Sequence, residues 1–152
     1  MNTTRRQLLC RTLGLSASAV FTANNASAKP ADVAAAIKEI AAGSPVGEGR
    51  ITLKTPGTAE NSNSIPVSVT VESPMTKDSY VESVAIFAEG NQKPEVITFN
   101  FTPASGEAYA STRIRLTETQ NVVAVAKMND GSFFSASSPV EVGTGSCAAE
   151  YK

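Results

Sequence analysis

The chain has 152 residues, 41% hydrophobic and 18% charged, the composition of an ordinary globular protein rather than a disordered one. It contains no histidine and no tryptophan, which excludes Ser-His-Asp and Cys-His catalysis and every histidine-based metal site. The net charge is −1, and residues 1–28 hold Arg5, Arg6 and Arg11 with no acid; the remainder carries 10 basic against 14 acidic residues, so nothing electrostatic points to nucleic acid or an anionic membrane as partner.

The first segment reads as an address. Arg5-Arg6 precedes an apolar run over residues 8–21, and Ala26-Ser27-Ala28 supplies the small residues that a signal peptidase requires. The paired arginines suggest the Tat route for folded proteins. The apolar run is too short for a transmembrane helix. Cys10 is a poor lipidation site, because Leu9 before it is large and the arginines are too near. Cleavage after Ala28 would leave residues 29–152, with Cys147 as the single thiol and no internal disulfide. An unpaired thiol in an exported protein points to an intermolecular bond or a free reactive group.

The body opens on a helical pattern. Val33, Ile37, Ile40 and Ala41 share one helical face, Pro30 and Asp32 suit a first turn, and Gly43 suits a stop. So short a helix must dock its stripe on something else. From Arg50 onward the period changes to two. Apolar residues alternate over 51–54, 65–72, 95–102 and 108–116; residues 80–89 place Val84 and Ile86 on one face and Ala85 and Phe87 on the other, and residues 121–128 are valine-rich. Asn129-Asp130-Gly131 then signals a hairpin into 132–142. Turn clusters separate the runs at Thr55-Pro56-Gly57, Ser73-Pro74, Glu89-Gly90-Asn91 and residues 102–106. The expected fold is all-β: an immunoglobulin-like antiparallel β-sandwich of about seven strands, with a short N-terminal helix and a flexible C-terminal arm. A small barrel is the alternative.

Chemistry concentrates at the end of the chain. Cys147 follows Gly143-Thr144-Gly145-Ser146, and five backbone steps from Val142 span roughly 17 Å when extended. Gly143 and Gly145 are expected to keep that reach flexible. Glu150 opposes ionisation of the thiol and Lys152 weakly favours it, so Cys147 suits loading by an enzyme better than unaided catalysis. Glu60 and Glu72 have no motif-placed partner carboxylate and read as solvated residues. Arg113 and Arg115 flank Ile114 and share a strand face as surface or partner contacts. Of the adjacent Phe133 and Phe134, one is expected to face outward as a partner anchor. No phosphate loop, metal site or cofactor motif is present, and no cofactor is expected.

A family likeness rests on Ala59-Glu60-Asn61, Ile65-Pro66-Val67, Ser73-Pro74-Met75-Thr76, Tyr80-Val81 and Phe101-Thr102-Pro103. It continues through Ser111-Thr112-Arg113-Ile114-Arg115-Leu116, Thr119-Gln120, Ala124-Val125-Ala126 and Asp130-Gly131. In order and spacing these segments resemble SoxY over residues 33–147. The resemblance implies a sulfur-carrier subunit of the periplasmic thiosulfate-oxidising system, not itself an enzyme, with an immunoglobulin-like sandwich paired to a smaller SoxZ-like subunit. It also implies a Gly-Gly-Cys-Gly-Gly arm whose cysteine is loaded, hydrolysed and oxidised by separate Sox enzymes. Carried over, Cys147 matches the attachment cysteine and Gly145 a glycine of the arm. Here the sequence departs from that pattern: Ser146 replaces the second glycine, Ala148-Ala149 follow the cysteine, and Glu150-Tyr151-Lys152 extend the end.

The expected organisation is therefore a Tat-type signal peptide over 1–28, a SoxY-like domain over 29–142 and a carrier arm over 143–152. The leading expectation is a non-enzymatic periplasmic carrier holding sulfur intermediates on Cys147. The alternatives are a SoxY-like interaction module whose altered arm has lost the sulfur cargo, and a carrier for a different redox pathway.

Overall fold

The computed structural model describes residues 29–143; the leader, Cys10, Gly145 and Cys147 lie outside the described residues. The chain begins with α1 (Pro30–Ile40) and continues through nine strands: β1 (Val46–Glu48), β2 (Ile51–Lys54), β3 (Thr58–Ala59), β4 (Ile65–Val71), β5 (Val81–Ala88), β6 (Glu95–Asn100), β7 (Ala108–Ile114), β8 (Gln120–Met128) and β9 (Phe133–Val142). A single 3-10 turn, Pro103–Ser105, separates β6 from β7. The sandwich expected from the alternating runs is present, with nine strands among the described residues rather than seven. The two extra strands are β1 and β3, of three and two residues, and both pair parallel to β9. Segments that short carry no readable period, and their partner lies some eighty residues away in sequence.

One sheet runs β1-β9-β8-β5-β6, with β3 joining the same β9 further along; the other runs β2-β4-β7. Alternation explains the layering. Ile65, Val67, Val69 and Val71 of β4 face the six-stranded sheet, while Pro66, Ser68, Thr70 and Glu72 face away. Val84, Ile86, Val122, Ala124, Ala126, Met128 and Val140 close the inter-sheet core from the other side.

The alternate residues of that second sheet are not solvated. Ala85, Phe87, Val123, Val125 and Phe133 form a second core with Val33 and Ala41 of the helical segment. β5 is consequently buried on both faces, which is why residues 84–88 form a continuous apolar run. Lys29 N–H donates to Asp32 Oδ2 at 2.7 Å and starts the helix. Ala42 at φ 47° and Gly43 at φ 82° end it. Of the expected stripe, Val33 and Ala41 are buried and Ile37 is half-buried; Ile40 stays 39% exposed, and Ala36 packs instead.

The outward aromatic anchor expected at 133/134 does not exist. Phe133 is 5% exposed beneath α1, and Phe134 packs on the inter-sheet core with the Arg50 guanidinium 5.0 Å from its ring centroid. The helix covers the face that a two-layer reading leaves open. The hairpin at 129–131 is as expected, with Gly131 at φ 82° and Met128 N–H donating to Ser132 O at 2.9 Å. No helix among the described residues is long and apolar enough to cross a membrane.

Candidate functional site

Cys147 lies four residues beyond the last described residue, so the site is read from the place where the chain leaves the sandwich. Three successive backbone N–H groups at the end of β9 are held by three different partners. Glu141 N–H donates to Gly57 O at 2.9 Å, Val142 N–H to Thr119 Oγ1 at 2.9 Å, and Gly143 N–H to Ala59 O at 3.0 Å. The partners sit on both edges of β9: residues 57–59 on one side, and Thr119, just before β8, on the other. This is the purpose of the two-residue β3, which ties down the root of the terminal segment at Gly143. Gly143 itself is not demanded by the fold. A Cβ there would meet Ala59 O at 3.7 Å, an ordinary contact, and its φ lies outside the left-handed region.

A polar network adjoins the root. Gln120, buried at the start of β8, accepts from Gly90 N–H at 2.6 Å through Oε1. Through Nε2 it donates to Asn91 Oδ1 at 3.3 Å and to Glu118 O at 3.1 Å. Asn91 Oδ1 also accepts from Thr117 N–H at 3.1 Å, and Asn91 Nδ2 donates to Arg115 O at 2.9 Å. Thr117 Oγ1 donates to Gly90 O at 2.8 Å. Two connections, β5–β6 and β7–β8, are thereby joined into one unit. A Cβ at Gly90 would meet the Glu118 side chain, Oε1 at 2.7 Å and Cγ at 2.8 Å, so any larger residue there requires Glu118 to shift. No buried side-chain nitrogen or oxygen among the described residues lacks a partner.

Beside this network a cleft of about 370 Å³ opens, lined by Asn91, Gln92, Lys93, Glu95, Val96, Arg115 and Thr117. It shares an end of the sandwich with Gly143: Gln120 pairs with Val140 on one flank of β8 and bonds Gly90 on the other. Register makes room for it. Phe87 pairs with Glu95 and Ile86 with Ile97, so Val96 is the extra residue of a bulge at the start of β6.

The remaining sequence candidates separate. Arg113 and Arg115 are both exposed, as expected from their alternation with buried Ile114. Arg113 Nη1 donates to Ser64 Oγ at 3.3 Å, whereas Arg115 lines the cleft. Glu60 and Glu72 flank opposite ends of β4, a separation of roughly 23 Å along a seven-residue strand, too far for a catalytic pair. No group of three or more Cys, Asp or Glu residues among the described residues could hold a metal. Sequence reasoning missed Gly90, Asn91, Thr117 and Gln120 as a unit. Each looks like turn punctuation, and only the hint of a buried glutamine at the head of a valine-rich strand was available.

Comparison with known proteins follows the same lines. The family model described as sulfur oxidation protein SoxY matches residues 36–147, so the match ends on Cys147. Among solved structures, the sulfur carrier protein SoxY from Chlorobium limicola f thiosulfatophilum is 30% identical, with a TM-score of 0.62, covering 74% of this chain and 97% of that one. A superoxide reductase (neelaredoxin) variant from Ignicoccus hospitalis is 15% identical at a TM-score of 0.56, covering 61% of this chain and 79% of that one. A putative superoxide reductase from Thermotoga maritima is 17% identical at a TM-score of 0.54, covering 65% and 88%. These last two share the fold alone. No curated protein sequence matches the chain. With three quarters of its length matched by the family model and by the solved SoxY structure, the chain belongs to the SoxY family.

Proposed function

We propose that this protein is a sulfur carrier of thiosulfate oxidation, holding intermediates covalently on Cys147 and presenting them to separate enzymes. The observation that carries the reading is the position of Cys147: the family match ends on it, four residues past a chain root clamped at Gly143. The single thiol that would remain after leader removal at Ala28 supports it. Export through a Tat-type leader to the periplasm, and a SoxZ-like subunit docked on the sandwich, complete the proposal.

In chemical terms the Cys147 thiolate and thiosulfate join through a new S–S bond, Cys–S–S–SO3⁻, and two electrons pass to a redox enzyme. Water then cleaves the S–SO3 bond, releasing sulfate and two protons and leaving a persulfide, Cys–S–S⁻. The chain supplies the attachment point and its placement; the enzymes supply the electron acceptor and the hydrolysis. Gly143 and Gly145 serve the reach of the segment, and the Cys-Ala-Ala-Glu-Tyr-Lys ending calls for partner clefts shaped to admit Tyr151.

Intact-mass measurement on protein purified from its host during sulfur oxidation tests this directly. The expected result is a chain from Lys29 carrying added sulfur or thiosulfonate mass on Cys147, with both the adduct and thiosulfate consumption lost in Cys147→Ser. A thiol that stays unmodified, with no loss on that substitution, overturns the reading. The departure of the ending from glycine favours one alternative, an interaction module joined by a Cys147–Cys147 disulfide. Non-reducing electrophoresis of the native protein would then show a dimer that does not exchange with sulfur compounds.

A further inference from the structure

The three-stranded sheet ends on a strand with an open side. In the order β2-β4-β7, β7 pairs with β4 alone, and no strand among the described residues pairs with its other edge. The other short strands offer little for pairing: β1, β2 and β3 have three, four and two residues. The edge strand β6 is bulged at Val96 and preceded by Pro94. β7 instead runs seven residues in unbroken register with β4, with no proline, lysine or bulge to blunt it.

The backbone polarity of that edge follows from β4. Glu72 N–H donates to Arg50 O at 2.9 Å, so the even-numbered residues of β4 turn their backbone groups toward β2. Pro66 is among them, and its missing N–H costs no bond to β7. The odd-numbered residues of β4 therefore bond to residues 108, 110, 112 and 114 of β7. Tyr109, Ser111 and Arg113 are left with N–H and C=O aimed outward. The next carbonyl in that row, Arg115 O, is taken by Asn91 Nδ2 at 2.9 Å.

Side chains on the same strand are complementary to themselves under a two-fold rotation. Glu107, Tyr109, Ser111, Arg113 and Arg115 alternate with inward residues and all are exposed, Tyr109 to 52%. Turned about Ser111, a second copy sets Ser111 against Ser111, Tyr109 against Arg113 and Glu107 against Arg115, with Arg113 diagonal to the same Glu107. Each contact is favourable: guanidinium on phenol ring, and carboxylate between two guanidinium groups. On the inward side half-buried Ala110 opposes half-buried Thr112, small against small. Within one chain these charges cannot meet, since Glu107 and Arg113 are separated by roughly 20 Å of extended strand. None of Glu107, Arg113 and Arg115 is in an ion pair among the described residues.

We propose that β7 is a self-recognition edge, through which two copies pair antiparallel about Ser111 and join their sheets into one of order β2-β4-β7-β7-β4-β2. About six backbone hydrogen bonds form across the two-fold axis. A single pair of strands covers less than the roughly 800 Å² per partner of a stable interface, so the dimer dissociates at roughly 10–100 μM. Antiparallel pairing places the two chain roots at Gly143 at opposite ends of the joined sheet. No thiol takes part, and the pairing stands whether or not Cys147 carries sulfur.

Sedimentation equilibrium of Cys147→Ser protein, purified under reducing conditions as a single chain, tests the edge without any disulfide. A reversible monomer–dimer equilibrium is expected. Glu107→Arg, and separately Arg113→Glu/Arg115→Glu, alter exposed side chains only and should each weaken self-association at least about tenfold. An equimolar mixture of the two should dimerise again, because one copy then carries cations at both ends of β7 and the other acids. Hydrogen exchange gives the backbone readout: the amides of Tyr109, Ser111 and Arg113 should gain protection as concentration rises, while those of Ala110 and Thr112 are protected throughout by β4. A monomer up to about 1 mM, or a dimer indifferent to both charge variants, overturns the proposal. So does protection at Tyr109, Ser111 and Arg113 that appears only when a different subunit is added, which assigns the edge to that partner.

Discussion

Asp130 shows how a single turn residue becomes sensitive to acid. Its carboxylate accepts from Ser132 Oγ at 2.6 Å and Ser132 N–H at 2.8 Å, and these bonds, the side-chain one foremost, hold its pKa below the usual 3.8. A folded pKa below the unfolded one means that the bonds stabilise the hairpin above the unfolded value. That contribution is lost as pH falls through the folded value. Carbon-detected titration of Ser132→Ala is expected to return Asp130 toward the usual value and to remove part of the acid sensitivity below about pH 4. An unchanged Asp130 titration would assign the shift to the turn backbone instead.

At the scale of elements, the connections matter more than the strands they join. Gly90 and Gln120 lie thirty residues apart and meet at 2.6 Å, binding the β5–β6 turn to the head of β8. Gly90→Ala drives a methyl into Glu118 and against Gln120 Cδ at 3.2 Å, forcing both side chains to move. A loss of about 1–3 kcal/mol in urea unfolding is expected. The amides of Gly90 and Thr117 should lose hydrogen-exchange protection together, because one network holds both. β3 works in the same manner at the other edge of the site. Two residues suffice because their task is to fix Glu141 and Gly143, not to extend the sheet.

At the scale of the whole molecule, β5 couples two cores. Ile86 faces the inter-sheet core while Phe87, fully buried, faces the layer under α1. Phe87→Ala is expected to cost about 3–5 kcal/mol. The helix should be lost in the same transition as the sandwich, since eleven residues of helix are marginal in water without a docking surface. Coincident far-ultraviolet circular dichroism and tyrosine fluorescence transitions would bear this out; a separate early loss of helix would refute it.

Much of this was legible in the residues. The seven longer strands announce themselves in two ways: a half-buried strand must alternate, as Ile65, Val67, Val69 and Val71 do without a break, and a strand buried on both faces reads as an apolar run, as β5 and β8 do. Cys147 stands out because thiol chemistry belongs to the residue type, whatever surrounds it. The covered face of Phe133, the clamp on Gly143 and the placement of Lys93 and Arg115 along one cleft were not legible. Each depends on segments distant in sequence meeting in space, and no local period records which stretch of chain will lie against another. Sequence by itself determined the alternation, the turns and the reactive atom, because these follow from side-chain type and nearest neighbours. Tertiary structure alone decided where that atom's tether is rooted and which charges face the same cleft, because strand order and loop packing are properties of the assembled core.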